Sequence, residues 1–222
     1  MSTTMNQPVS VAPLPPFRSR VVPVVVVEDA AHAVPMARAL LAGGIDVMEI
    51  TLRSSAALVA LAAVVREVPG MHVGAGTVTR PHELTQVQAA GATFALSPGC
   101  TPSLLAAAQA AGLPFIPGVA TASEAMLARD AGYTLLKCFP AGVLGGPDLL
   151  KAWAGPLPEL RFCPTGGVSV GNLASYLSLP NVAMVGGSWL TPADTVRRGD
   201  WGSIEQLARQ ATQASQAVEQ AA

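Results

Sequence analysis

Eight times along the chain a short run rich in Val, Ile, Leu or Phe gives way to an Ala- and Leu-rich stretch with helical character, and this alternation restricts the fold more than any other feature. The apolar runs are VVPVVVV (21–27), VMEI (47–50), MHVGAG (71–76), TFALSPG (93–99), PFIPG (114–118), TLLKCF (134–139), RFCPTGG (161–167) and VAMVGGS (182–188). Gly, Pro, Ser or Thr punctuates the end of each, as short strand-to-helix connections require. Helices are expected from near Asp29 to Gly43–Gly44, from Ser54 to Glu67, from Pro81, from Pro102, from Ser123, from Pro147 to Ala154, over Val170–Leu177 and over Ser203–Val218. Nearly continuous apolar strands alternating with helices belong in a parallel sheet covered by helices. Eight such units close that sheet into an α/β single-domain (β/α)8 TIM barrel, whereas a doubly wound sheet would normally use fewer.

A length of 222 residues suits one barrel, and no linker divides it. The expected organisation is an irregular, Pro-rich leader over 1–20 and the barrel over 21–222. Half the residues are hydrophobic and only 12% are charged, which supplies a core and little solvated tail. A net charge of −1 leaves no basic stripe for nucleic acid. Prolines and glycines interrupt the uncharged stretch between Glu83 and Glu124, so no bilayer-spanning run and no membrane partner is expected. The N-terminus lacks a basic segment followed by an apolar one, which points to a cytoplasmic protein. Cys100, Cys138 and Cys163 read as buried thiols. His32, His72 and His82 lack metal-ligand spacing and read as helix or surface residues, so no metal is expected.

In such barrels the C-terminal ends of the strands carry the active site. Two groups stand out there. Lys137, one of only two lysines, sits in the apolar run TLLKCF, while Lys151 falls on a helix. Its bland reading is a side chain that snorkels to water; its chemical reading is a desolvated amine, a nucleophile suited to a Schiff base with a carbonyl compound. Glu49 lies among Val47, Met48 and Ile50. It is either half of a salt bridge with Arg53 or Lys137, or a group that moves protons. Arg53 can hold a carboxylate bidentately. Thr77 offers a hydroxyl to a ligand, or serves as a helix N-cap or turn residue. PTGGV (164–168) and GGS (186–188) end the seventh and eighth strands, where barrels frequently bind phosphate.

With these residues in view, the sequence resembles the 2-keto-3-deoxy-6-phosphogluconate (KDPG) aldolase family from VVPVVVV onward. The resemblance is carried by VVPVVVV, HAVPMARALLAGG, MEITLR, VGAGTV, SPG, IPGVAT, LLKCFPA, RFCPTGGVS and GGSWLTPAD. It implies a class I aldolase, free of metal and cofactor, that splits a phosphorylated 2-keto acid, KDPG, into pyruvate and D-glyceraldehyde 3-phosphate. It further implies Lys137 as the Schiff-base lysine and Glu49 as the acid–base group. Arg53 and Thr77 would contact the pyruvate carboxylate, Pro98 and Phe139 would line the pyruvyl pocket, and Gly166, Gly167, Gly187 and Ser188 would hold phosphate. Thr165 matches the form associated with gluconate-derived substrate, and a homotrimer is suggested. Cleavage of 4-hydroxy-2-oxoglutarate or decarboxylation of oxaloacetate would use the same pair. A pyridoxal-phosphate barrel and a non-catalytic sugar-phosphate binding barrel are the remaining alternatives.

Overall fold

The computed structural model describes residues 11–221. Its strands are β1 (Val21–Val25), β2 (Val47–Thr51), β3 (His72–Gly76), β4 (Phe94–Leu96), β5 (Phe115–Ile116), β6 (Gly118–Val119), β7 (Leu135–Cys138), β8 (Arg161–Phe162) and β9 (Val185–Gly187). The helices are α1 (Ala33–Ala42), α2 (Ala57–Glu67), α3 (Pro81–Ala89), α4 (Pro102–Ala111), α5 (Ala122–Asp130), α6 (Gly146–Ala154), α7 (Leu173–Leu177), α8 (Ala193–Arg197) and α9 (Trp201–Gln220), with a 3-10 turn at Ala30–His32 before α1. All strand pairs are parallel.

The fold is the expected (β/α)8 barrel, drawn as two arcs. Six strands run in the order β5-β4-β3-β2-β1-β9, and three in the order β6-β7-β8. Pro117 separates β5 from β6, because a proline has no N–H to continue the ladder, so the fifth apolar run supplies two short strands. On the other side, bridges Phe162↔Val182 and Thr165↔Gly186 join the end of β8 to the chain around β9. The five residues of α8 lie ahead of the expected last helix and form an element that the sequence pattern did not predict.

Local chemistry sets the helix starts. Thr101 caps α4 by accepting from Leu104 N–H, and Thr121 and Glu124 form a reciprocal capping box at α5. Pro81 and Pro102 occupy first-turn positions, where a missing N–H costs nothing. The core joins the outward faces of the strands, such as Met48 and Ile50 of β2, to the inward faces of the helices.

Residues 11–19 form no helix or strand and pass beneath the barrel. The first ten residues of the expected leader, and Ala222 at the far end, lie outside the described residues. Phe17 packs against His72 and Phe94, with ring centroids 6.2 and 5.9 Å apart. His72 therefore opens β3 under an aromatic cover, a correction to its reading as a helix or surface residue. The buried Asp46 carboxylate accepts from the N–H groups of Arg18 and Ser19 and from Arg18 Nε, at 3.0–3.1 Å. Arg20 donates to the carbonyls of Ala183, Val182 and Leu177, tying the same segment to the chain before β9. No helix among the described residues is long and apolar enough to cross a membrane.

Candidate active site

Side chains alternate along a strand, so residues 49, 51 and 53 share one face while Met48 and Ile50 share the other. The first face points into the barrel. A cavity of about 240 Å³ opens there, lined by Val24, Glu49, Thr51, Arg53, Thr77, Pro98, Lys137, Phe139 and Thr165. Seven of the expected residues thus come together from β2, β7 and the tails of β3, β4 and β8.

At its base Lys137 Nζ donates to both oxygens of Glu49, at 2.8 and 3.0 Å. The two side chains retain only 5% and 1% of their exposure, so the lysine does not snorkel. Taking an ammonium and a carboxylate out of water is costly, and each makes the other tolerable. The ammonium also stands 5.7 Å from the centroid of the Phe139 ring. Of the two salt-bridge partners open to Glu49, the structure selects Lys137; Arg53 forms no ion pair among the described residues.

The neighbouring strand makes the room. A Cβ on Gly76 would fall 1.9 Å from Glu49 Oε1, and one on Gly74 would strike the Phe94 ring at 2.3 Å. The glycines of VGAG therefore give their space to the carboxylate and to the aromatic floor beneath it. Thr77 follows with φ 61°, the one non-glycine residue in the left-handed region among those described. A β-branched side chain is strained there. The N-cap of α3 is Arg80, so Thr77 is not the cap; its conformation leaves it on the cavity wall.

Arg53 is at the lip, with Nε donating to Thr51 Oγ1 at 3.3 Å. It also lines an adjoining chamber of about 520 Å³, together with Val24, Ser188, Thr191, Glu28 and Asp29. The tails after β8 and β9 run side by side through the Thr165↔Gly186 bridge. Gly166 and Gly167 adopt φ 90° and 80° and, like Gly187, do not line the lysine cavity; Ser188 belongs to the adjoining chamber. Close packing explains Gly186, where a Cβ would meet Thr165 Oγ1 at 2.3 Å.

Two thiols flank the pair without sharing its chemistry. Burial pushes Cys163 up to about 12, against the pull of the Lys137 charge, and pushes Cys138 up to about 11. Both stay protonated near neutrality. Cys100 is only half-buried, which corrects its reading as a buried thiol; burial and then the nearby Glu124 charge raise its pKa. Among the described residues no three His, Cys, Asp or Glu side chains gather as a metal site requires. Thr51 and Val24 are the cavity residues that the sequence reading missed. Period-two spacing from Glu49 was the available signal for Thr51.

Fold and site together define a barrel protein that presents a buried amine and its carboxylate partner at the C-terminal ends of parallel strands. The sequence profile of the KDPG and KHG aldolase family matches residues 17–207, and the chain belongs to that family. The 2-dehydro-3-deoxy-phosphogluconate aldolase of Pseudoalteromonas atlantica is 54% identical over 191 residues, covering 86% of this chain and 89% of its relative. Among solved structures, the KDPG aldolase of Legionella pneumophila, with pyruvate captured as a covalent carbinolamine intermediate, superposes with a TM-score of 0.85. It is 44% identical, over 93% of this chain and 98% of that one. The KDPG aldolase of Zymomonas mobilis with 3-phosphoglycerate gives 0.84 at 44% identity, over 87% and 91% of the two chains.

Proposed function

We propose that this chain is a class I aldolase, a lyase that cleaves KDPG to pyruvate and D-glyceraldehyde 3-phosphate, with Lys137 as nucleophile and Glu49 as proton carrier. The observation that carries the reading is the Lys137–Glu49 pair at the base of a strand-end cavity.

Glu49 is placed to take a proton from the ammonium, freeing the amine to add to the C2 ketone. The same carboxyl then donates to the departing hydroxyl as the carbinolamine becomes a protonated imine. Removal of the C4 hydroxyl proton by Glu49 breaks the C3–C4 bond. Its electron pair passes into the imine, leaving an enamine and glyceraldehyde 3-phosphate. Protonation at C3 and hydrolysis return pyruvate and Lys137. Arg53, at the cavity lip, and Thr77 are assigned to the substrate carboxylate, and Pro98, Phe139 and Thr165 to the walls around the reacting carbons. Gly166, Gly167, Gly187 and Ser188 are assigned to the phosphate; the pairing of their two tails supports that assignment. The family profile spans KHG aldolases as well, which favours 4-hydroxy-2-oxoglutarate as a second substrate for the same residues.

Residues 21–222 form the catalytic barrel of this cytoplasmic enzyme and 1–20 its leader. The enzyme is a homotrimer in this proposal, and exposed Val143 (85%) and Val170 (49%) offer apolar surface for a subunit contact; sedimentation velocity decides the subunit number. The test of the chemistry is borohydride reduction with pyruvate followed by peptide mapping. A pyruvyl adduct on Lys137, absent in Lys137→Ala, is expected. An adduct on Lys151, or KDPG cleavage retained by Lys137→Ala, would overturn the assignment.

A further inference from the structure

The loop that carries Arg53 is held on both sides by hydroxyl groups. Thr51 Oγ1 donates to the carbonyl of Val25 at 2.9 Å, and Ser54 Oγ donates to the carbonyl of Val27. The backbone between them is fixed by Leu52 N–H to Gly76 O at 2.9 Å and Arg53 N–H to Thr51 O at 2.8 Å. Residue 53 is thus anchored to the tails of both β1 and β3, although its own side chain reaches solvent.

Thr51 has one hydroxyl proton, and Val25 takes it. Its oxygen can therefore only accept towards the guanidinium, and Arg53 Nε supplies the donor at 3.3 Å. With Nε engaged, the two terminal nitrogens remain as a planar fork with four N–H bonds, the geometry that grips a carboxylate in two places. An arginine at a lip has many rotamers, and one hydrogen bond at Nε selects among them.

The geometry points to Thr51 as a positioning residue that holds the Arg53 fork over the lysine cavity and so sets the affinity for 2-keto acids through their carboxylate. This rests on the carboxylate role given to Arg53 above. Ser54 steadies the same loop from its other end.

Borohydride trapping separates the two ideas, with pyruvate and acetone as probes, since acetone offers the carbonyl without the carboxylate. In Thr51→Val the half-saturating pyruvate concentration is expected to rise about tenfold, the size expected for one hydrogen bond to a charged group. Trapping of acetone on Lys137 should stay unchanged, Thr51→Ser should restore pyruvate affinity, and Thr51→Val should add nothing in an Arg53→Ala background. Equal losses for pyruvate and acetone would mean a merely structural role and overturn the inference, as would unaltered pyruvate affinity. If Arg53→Ala itself leaves pyruvate affinity intact, the carboxylate role of Arg53 fails, and the role of Thr51 with it. Should Thr51→Val not fold, Thr51→Cys gives the same pyruvate-to-acetone comparison with a weaker acceptor.

Discussion

Glu49 fits beside Lys137 because residue 76 has no side chain. A Cβ there would stand 1.9 Å from Glu49 Oε1 and 2.5 Å from its Cγ and Cδ, where ordinary contact begins at 3.4 Å. The methyl of a Gly76→Ala variant has nowhere to go, since β3 is paired to β2 on one side and β4 on the other. The carboxylate must instead retreat by roughly 1.5 Å. That breaks the 2.8 and 3.0 Å bonds to Lys137 Nζ. Misplacing a reacting group by about 1 Å costs on the order of a hundredfold in rate, so kcat for KDPG cleavage is expected to fall about 100-fold. Separating two buried charges costs about 3 kcal/mol, which lowers Tm by roughly 6–12 °C in a chain of this size. Pyruvate release coupled to lactate dehydrogenase reports the first effect, and a thermal melt the second. Gly155→Ala is the control, since a Cβ there meets nothing within 4 Å and its backbone is already helical. A folded Gly76→Ala enzyme with unaltered kcat would refute the claim that the reaction needs the carboxylate in this position.

Asp46 links the leader to pH. Burial alone would push its carboxyl up, but the N–H groups of Ser19 and Arg18 and the Arg18 guanidinium outweigh that and hold it below the ordinary 3.8. A carboxyl with a lowered folded pKa stabilises fully above its unfolded value and loses that contribution as pH falls through the folded one. Denaturant melts should show this acid-side loss in the parent and not in Asp46→Asn, which is expected to be about 1.5 kcal/mol less stable at neutral pH. Thr77→Gly should move stability and function in opposite directions. Releasing a strained left-handed threonine outweighs the added freedom of glycine in the unfolded chain by about 1 kcal/mol. The lost hydroxyl should raise KM for KDPG. A variant with lower stability and unaltered KM would contradict both halves of that account.

The barrel was legible because its signal is local: eight apolar runs, each ended by turn-forming residues. Lys137 and Glu49 were legible for the same reason, each a charge set in an apolar strand. Their partnership was legible only as one of two alternatives, Lys137 or Arg53 beside Glu49, since the two residues are 88 positions apart and closure decides between the candidates. The five-residue α8 is too short to show a helical period. The break at Pro117 was written in the sequence, but PFIPG reads equally as one strand with a proline near its end. Packing beneath the barrel, where Phe17 covers His72, depends on contacts between distant segments and leaves no local trace. The backbone of Thr77 is likewise invisible to pattern, because nothing in VGAGTV requires the residue after the glycines to turn left-handed.

Glu49 belongs to the six-stranded arc and Lys137 to the three-stranded one. Neither arc holds the pair: one carries the carboxylate and the other the amine. Competence is therefore a property of the closed barrel: the ion pair exists only where the two arcs meet. A nascent chain released before β7 would carry the carboxylate, the arginine and the glycine-made space, and still have no reaction to perform.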